Sequence, residues 1–203
     1  KDNKVLFDIG ANIGVYSIYH SLLNNGKSIA FEPSFYNLKQ LSKNINLNNC
    51  QDLISVVANP LSDVTQFSDF IYGDANEGGA MSSFGVDYGF DGKRIQSDSS
   101  INVLGFSLDN LHKLGLLTTI PNLIKIDVDG IEHLILEGAK ETLSHPDCYT
   151  VLVEVNDDFK DQSQKACNIL ISCGFIFKEK KHSDMFVNNP ESGATYNQIW
   201  IKK

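Results

Sequence analysis

The chain has 203 residues, 42% of them hydrophobic and 21% charged, and its 25 acidic against 17 basic side chains give a formal charge of −8. These proportions exclude fibrous, collagen-like and disordered classes and are typical of one globular domain. Binding to phosphates requires clustered positive charge, and no basic stripe is present, so we expect no nucleic-acid partner.

The first part of the chain alternates between short apolar runs and segments with helical spacing of apolar residues. Such runs predict strands, and the helical spacing between them predicts helices. The predicted strands are 5–9, 28–31 and 53–58, and the predicted helices are 14–23 and 35–47. This β-α-β-α order predicts a parallel sheet with helices on both faces.

The pattern changes after residue 63. Phe67, Phe70 and Tyr72 alternate as in a hairpin, and residues 73–100 are rich in Gly, Asp and Ser without a sustained period. A long irregular segment in a compact domain is typical of a lid or binding segment, although its composition also fits disorder. We predict a hairpin followed by a long surface loop or lid.

The last part of the chain returns to alternating strands and helices. The predicted strands are 123–128, 149–155, 175–178, 185–187 and 197–201, and the predicted helices are 132–143 and 161–173. The final strand, YNQIWIK, alternates apolar and polar residues as an antiparallel edge strand does. We predict one domain over 1–203. A first strand so close to the start, without an initiator Met, also fits a domain taken from a longer chain.

The turn DIGANIG at residues 8–14 is the strongest local signal, because a strand ends in an acid and the turn uses residues that tolerate positive φ. A dinucleotide-binding turn instead reads G-x-G-x-x-G and rests a pyrophosphate on the helix start. Asp8 would repel that phosphate and attract a ligand carrying an ammonium and a sulfonium. The turn favours a cationic nucleoside over NAD. The alternative is a purely structural turn in which Asp8 caps backbone donors.

Glu32 follows the second strand, where nucleotide-binding folds place an acid that accepts hydrogen bonds from ribose hydroxyls. The alternative is a structural one, since Glu32 and Pro33 precede a helix whose start favours negative charge. The distance of Glu32 from the Gly10 turn favours the ribose interpretation.

The segment LIKIDVDGIE from residue 123 is an apolar strand that contains a lysine and ends in acids. Lys125 and Asp127 point to the same face, and a buried lysine is costly unless paired, so we predict an ion pair. A buried, paired lysine can also accept a proton. Ligands bind at the carboxyl ends of parallel strands, which predicts that Asp127, Asp129 and Glu132 border the same crevice as Asp8. The alternative is a structural ion pair with helix-capping acids.

Three blocks, FDIGANIGVYSI, FEPSFYNLKQLSKNINLNN and LIKIDVDGIEHLILEGAKETL, resemble the FkbM-type S-adenosylmethionine-dependent methyltransferases over nearly the whole chain. The last block is close to the family's IKIDVEGxE followed by LxGA, with Asp129 where Glu is common. NPLSD at 59–63 is similar to the family's NALSD, apart from Pro60. The resemblance implies the α/β class I methyltransferase fold, a Rossmann-like, seven-stranded, mostly parallel sheet with an antiparallel last strand.

The resemblance also implies which residues hold S-adenosylmethionine. Glu32 would bind the ribose, and Asn59 and Asp63 would lie near the adenine. The residues implied around the methionine portion are Asp8, Gly10, Ala11, Asn12 and Gly14. Family members mostly methylate hydroxyl oxygens of sugars or other metabolites, which implies a small-molecule or glycan acceptor.

An alcohol acceptor needs a base that removes its proton during transfer. We favour Asp127, because it ends the strand nearest the expected methyl position and Lys125 sets its charge. Asp129, Glu132 and Lys125 are alternative bases, and His133 is a second choice. The acids could also gather a divalent cation, but Lys125 supplies competing positive charge, so we expect no metal.

Two other classes of function stay open, an NAD-dependent oxidoreductase and a non-catalytic adenosyl-binding module. The four cysteines, Cys50, Cys148, Cys167 and Cys173, have no metal-binding spacing, which favours a reducing compartment. No apolar run approaches the ~20 residues of a membrane span. We therefore expect a cytoplasmic protein.

Overall fold

The computed structural model describes residues 4–97, 99–182 and 194–202. Its strands are β1 Val5–Ile9, β2 Lys27–Phe31, β3 Ile54–Val57, β4 Gln66–Ile71, β5 Ser83–Phe84, β6 Ser100–Gly105, β7 Leu123–Ile126, β8 Thr150–Asn156, β9 Ile176–Lys181 and β10 Thr195–Ile201. Its helices are α1 Val15–Asn24, α2 Phe35–Leu47, α3 Leu108–Lys113, α4 Glu132–Glu137, α5 Lys140–Ser144 and α6 Lys160–Ser172.

Seven of these strands form one sheet in the order β3-β2-β1-β7-β8-β10-β9. The pairs from β3 to β8 are parallel, and β10 runs antiparallel to both of its neighbours. The predicted fold class, including the antiparallel last strand, is confirmed. The chain order reverses between β1 and β7, and open parallel sheets bind ligands at such a point, beyond the carboxyl ends of the strands.

Helices cover both faces of the sheet because neighbouring strand residues point in opposite directions. Ala30 and Phe31, consecutive on β2, belong to two separate apolar clusters. Ala30 packs in the cluster that contains Leu41 of α2, and Phe31 in the one that contains Leu170 of α6. The central strands are therefore apolar on both faces, which makes the polar residues at their ends conspicuous.

A second, three-stranded antiparallel sheet has the order β5-β4-β6. The hairpin followed by a long loop was therefore only partly right. The partners of β4 lie inside the predicted loop, at β5, and at its end, at β6. Between them Tyr88 and Arg94 form an isolated antiparallel bridge. Much of this segment is ordered by backbone pairing between strands. The pairing could not be predicted, because this Gly- and Ser-rich sequence has no strand-like alternation of apolar residues.

The helix predicted over 132–143 is two helices, α4 and α5. The carboxylate of Asp109 accepts hydrogen bonds from the backbone N–H groups of Glu141 and Thr142 at 2.8 and 2.9 Å, and so satisfies the free donors at the start of α5. The strand predicted at 185–187 lies outside the described residues. Among the residues described, no helix is long and apolar enough to cross a membrane.

Candidate active site

A cavity of about 610 Å³, counting the part open to solvent, lies across the carboxyl ends of β1, β2 and β7. Predicted site residues that line it are Gly10, Asn12, Glu32, Asn59, Asp127 and Asp129. Six of the predicted residues thus come together at one rim of the sheet.

The turn after β1 forms one wall of the cavity and requires glycine at its closest point. Gly10 has φ of 75°, and a Cβ there would lie 1.9 Å from the backbone oxygen of Asp127. Asn12 also has a positive φ, 50°. The N–H groups of Gly10 and Ala11 both donate to the Phe31 carbonyl at 3.0 Å. The turn is thereby tied to β2 and β7, and its backbone faces the cavity.

Asp8 lies beneath this turn rather than in the cavity. Its side chain is fully buried, accepts hydrogen bonds from the Ser17 N–H and hydroxyl at 3.0 and 2.7 Å, and has Oδ1 at 3.5 Å from Lys125 Nζ. The direct contact with a ligand expected for Asp8 is not supported, because the pleat of β1 directs the carboxylate towards α1. Ala11 and Gly14 are likewise outside the cavity lining and shape the turn through the hydrogen bond from Gly14 N–H to Ala11 O.

Lys125 links the buried acid to the cavity. Its Nζ donates to the Gly10 carbonyl at 2.7 Å and lies 3.5 Å from Asp8 Oδ1 and from Asp127 Oδ2. Burial lowers the pKa of Lys125, but the charges of Asp8 and Asp127 more than offset it and hold the pKa above its usual range. The predicted ion pair is present, and Lys125 is a cation at neutral pH. It is therefore unsuited to act as a general base.

Glu32 is held at the end of β2 by the protein itself. Its carboxylate accepts from the N–H groups of Asn12 at 2.7 Å and Ser34 at 2.9 Å and from the Asn37 side chain at 3.4 Å. Burial raises the pKa of Glu32, and these hydrogen bonds oppose the rise. A carboxylate has about four acceptor positions, so one is left for a hydroxyl in the cavity.

The opposite wall carries Asp127 and Asp129. The Asp127 side chain is 37% exposed, in contrast to Asp8. Asp129 has a φ of 62° and accepts a hydrogen bond from the Met81 N–H at 2.6 Å. Burial and the neighbouring Asp127 raise the pKa of Asp129 to about 6. The pair can attract a cation or accept a proton at this wall.

Glu132 and His133 lie outside the cavity lining. Glu132 is buried and accepts hydrogen bonds from the Val128 and Gly130 N–H groups and from the Gln162 side chain. Burial raises the pKa of Glu132 to about 7. Its contacts stabilise the turn that carries Asp129, as in the helix-capping alternative. His133 is 4% exposed and faces a separate groove between α4 and α6, so the structure does not bring it to the expected reaction centre.

The predicted adenine residues separate into one inside and one outside the cavity. Asn59 lines the cavity and donates to the Leu104 carbonyl at 3.0 Å. Asp63 is not part of the lining and accepts a hydrogen bond from the Ser62 hydroxyl. Leu61, Phe70 and Phe84 supply an apolar surface beside Asn59.

Residues 77–82, which we call the strap, close part of the cavity mouth. Asn37 accepts from the Gly78 N–H at 2.9 Å and donates to the Gly79 carbonyl at 3.0 Å. The Asn12 side chain donates to the carbonyl groups of Gly78 and Gly79, both at 3.3 Å. At the far end, Met81 binds Asp129, as described above. The strap is thus fixed to both walls of the cavity by side-chain hydrogen bonds.

Sequence reasoning missed two site residues, Asn37 and Glu154. Asn37 is a buried polar residue on the inner face of α2. Glu154 interrupts the apolar run of β8 just as Lys125 interrupts β7, and it is the neighbour of Asp127 across these two strands. A charged residue inside an apolar strand was the signal that identified Lys125, and the same signal would have identified Glu154.

The chain was compared with known families, curated proteins and solved structures. The sequence model described as "Methyltransferase FkbM domain" matches residues 8–177. No curated protein matches.

Among solved structures, methyltransferase FkbM from Methylobacillus flagellatus KT has a TM-score of 0.66 and 15% identity, over 98% of this chain and 44% of that one. An rRNA methylase from Streptococcus thermophilus has a TM-score of 0.57 and 11% identity, over 100% and 88% of the two chains. Precorrin-6y C5,15-methyltransferase from Geobacter metallireducens GS-15 has a TM-score of 0.54 and 16% identity, over 99% of this chain and 80% of that one. At these identities the structural likeness concerns the fold.

Proposed function

The chain belongs to the FkbM family of methyltransferases, and from this premise we propose that it transfers the methyl group of S-adenosylmethionine to a hydroxyl oxygen of a small molecule or a glycan. The chain spans less than half of the FkbM methyltransferase structure it resembles, so the activity proposed is that of this domain. The observation that carries the proposal is one cavity with Glu32 on one wall and Asp127 and Asp129 on the other.

The chemistry of the cavity fits an adenosyl ligand with a cationic end. The free acceptor position of Glu32 suits a ribose hydroxyl, and the apolar surface of Leu61, Phe70 and Phe84 suits a base. The acidic wall would attract the ammonium and sulfonium of the methionine portion and would repel the pyrophosphate of NAD. We therefore favour S-adenosylmethionine over a dinucleotide.

S-adenosylmethionine, when bound, supplies a methyl carbon that is activated by a sulfonium. In our proposal the acceptor hydroxyl gives its proton to Asp127 as the O–C bond forms and the S–C bond breaks. Lys125 Nζ lies 3.5 Å from Asp127 Oδ2 and also donates a hydrogen bond to the Gly10 carbonyl. The same cation therefore contacts both the proposed base and the turn after β1. The step uses no metal ion, so EDTA should leave the rate unchanged.

Calorimetry and turnover together test the proposal. S-adenosylhomocysteine should bind more tightly than NAD, and Glu32→Gln should weaken that binding. Asp127→Asn should lower kcat by about 10²-fold or more while binding stays within a few-fold, because a general base contributes ~10²–10⁴. Asp161→Asn, on the exposed start of α6, is the matched control. Tighter binding of NAD would contradict the cofactor, and full turnover by Asp127→Asn would contradict the base.

The acceptor is sought with labelled S-adenosylmethionine and a panel of small alcohols, glycans and RNA. Two observations favour a small hydroxyl compound over RNA: the formal charge of −8 and an acidic wall at the cavity. Methylation of RNA, with none of the small compounds or glycans, would contradict this choice. Binding of S-adenosylhomocysteine without transfer to any acceptor would favour a non-catalytic adenosyl-binding module.

A further inference from the structure

A second carboxyl group lies beside Asp127 on the neighbouring strand. Ile126 of β7 pairs with Val153 of β8, so the next residues, Asp127 and Glu154, are neighbours across the two strands. Residues at matching positions of paired parallel strands point to the same face, so the two carboxyl groups lie side by side. Two neighbouring carboxylates repel each other, and a proton held by one of them relieves this repulsion.

We propose, on the basis of the function proposed above, that Glu154 is a positioning residue for the base. In this proposal Glu154 keeps its proton at neutral pH and donates it in a hydrogen bond to the Asp127 carboxylate. Lys125 contacts the same carboxylate as a cation, so Asp127 is held from two directions while staying free to accept the proton of the acceptor.

The surroundings favour the proton on Glu154 rather than on Asp127. Lys125 Nζ lies 3.5 Å from Asp127 Oδ2, which stabilises the charged form of Asp127. Asp127 follows the end of β7 and its side chain is 37% exposed, whereas Glu154 lies inside β8 between the buried residues Val153 and Val155. Burial first, and then the charge of Asp127, raise the pKa of Glu154 to about 9.

The other strand beside Glu154 offers it no counter-charge. Its partner on β10 is Asn197, which is uncharged. Beyond Asn197, Lys181 of β9 pairs with Glu179 at 3.0 Å. Among the described residues, the titratable groups near the Asp127–Glu154 pair include Lys125, Asp129 and Glu132. Asp8 and Tyr16 lie on the far side of Lys125, at 3.5 Å from its Nζ and with the ring centre at 5.3 Å. The neighbouring acids disfavour a negative charge on Glu154 in addition to the one on Asp127. The cation, Lys125, contacts Asp127.

Two substitutions at position 154 distinguish the role of the side chain as a hydrogen-bond donor from the effect of its ionisation. Glu154→Gln keeps a hydrogen-bond donor that cannot ionise, and Glu154→Leu removes the donor. With any acceptor that the wild type methylates, kcat of Glu154→Gln should stay within about threefold, and kcat of Glu154→Leu should fall about tenfold or more because the base is no longer oriented. At alkaline pH Glu154 ionises and can no longer donate to Asp127, so kcat of the wild type should fall. This fall should be absent in Glu154→Gln, because glutamine does not ionise.

Carboxyl ¹³C NMR titration of protein labelled at its glutamate side chains tests the proton assignment without acceptor or cofactor. One glutamate resonance should titrate in the alkaline range and should be missing in Glu154→Gln. In Asp127→Asn the same titration should move towards lower pH by at least about one unit, because the neighbouring negative charge is gone. Asp161→Asn should leave it in place. Asp127→Ser, which also removes the charge, serves if Asp127→Asn does not fold.

The outcomes of this titration are distinct from those of the function tests. A Glu154 resonance that titrates near the ordinary range of glutamates overturns the proposal. So does an alkaline titration that is identical in the wild type and in Asp127→Asn. Either result leaves the methyltransferase proposal standing. Conversely, failure of the protein to bind S-adenosylhomocysteine would contradict the proposed function but not the proton assigned to Glu154. An alkaline titration that is lost in Glu154→Gln and lowered in Asp127→Asn supports the assignment.

Discussion

The two walls of the cavity use the same residue types in opposite ways. On the β1–β2 side, Asp8 is buried beneath the turn and Glu32 is buried at the cavity, and each accepts hydrogen bonds from backbone and side-chain donors of the protein. On the β7 side, Asp127 and Asp129 line the cavity and Glu154 of β8 is the strand neighbour of Asp127. Burial and the neighbouring acids raise the pKa of Asp129 and of Glu154. Donors that surround an acid at a strand end thus favour its ionised form, whereas acids that surround one another have raised pKa values.

The closest contact between the walls gives the largest expected effect. Gly10→Ala places a methyl group 1.9 Å from the Asp127 backbone oxygen, and the unfolding free energy should fall by more than about 4 kcal/mol. Urea denaturation measures the loss. Gly115→Ala is the matched control, since Gly115 has φ of 70° and open space around its Cα, and only the ~1–2 kcal/mol backbone cost should appear. Equal losses in the two variants would contradict the role of the close approach.

Asp8→Asn tests whether the binding wall depends on a buried charge. Lys125 would keep Asp127 as its only carboxylate partner, and removal of one member of a buried ion pair should cost about 3 kcal/mol. Urea denaturation again gives the change. Asp69→Asn, an exposed acid on β4, should change stability by less than about 0.5 kcal/mol. A neutral result for Asp8→Asn would show that Asp127 alone balances Lys125.

Glu154→Gln should change the unfolding free energy in the opposite direction, and only towards higher pH. The folded protein holds the proton of Glu154 up to about pH 9, whereas the unfolded chain releases it near pH 4.5, so this group lowers stability as pH rises between those values. Removing it should stabilise the protein at pH 8 relative to pH 5 and flatten the pH dependence. Thermal denaturation from pH 5 to 9 measures this. Glu137→Gln, on the exposed side of α4, should leave the wild-type slope.

Asn37→Ala should loosen the strap with little effect on global stability. The Gly78 N–H loses its acceptor, and its hydrogen exchange should accelerate about five- to tenfold, the equivalent of a hydrogen bond of ~1–1.4 kcal/mol. Asn46→Ala on the same helix removes only an exposed bond to Ser42 and should leave Gly78 unchanged. Identical exchange in both variants would show that Asn37 does not hold the strap.

The sequence sufficed for the sheet and for the β1–β2 wall, because periodicity and turn chemistry are local. The strand 5–9, the turn with positive φ at Gly10 and Asn12, and the acid at Glu32 all follow from residues close together in the chain. The Lys125 ion pair also followed, since burying an unpaired lysine is costly.

What escaped prediction depends on contacts between distant parts of the chain. The pairing of β4 with β6 and the division of the helix by Asp109 have no local period. The placement of Asp8 under the turn depends on where α1 packs, and the raised pKa of Glu154 depends on which strand lies beside β7. Sequence reasoning named Asp127 and Asp129, which line the cavity, yet it could not show that Glu154 is the strand neighbour of Asp127.

The strap has a consequence for how long a nucleoside would stay. Its peptide groups are fixed by Asn12 and Asn37 on one side and by Asp129 on the other, so a molecule enclosed beneath it leaves only when those bonds open together. Residence should therefore be long relative to a purification, and protein isolated from cells should carry the compound with it. Native mass spectrometry of freshly prepared protein, before any dialysis, would reveal the bound compound by its added mass.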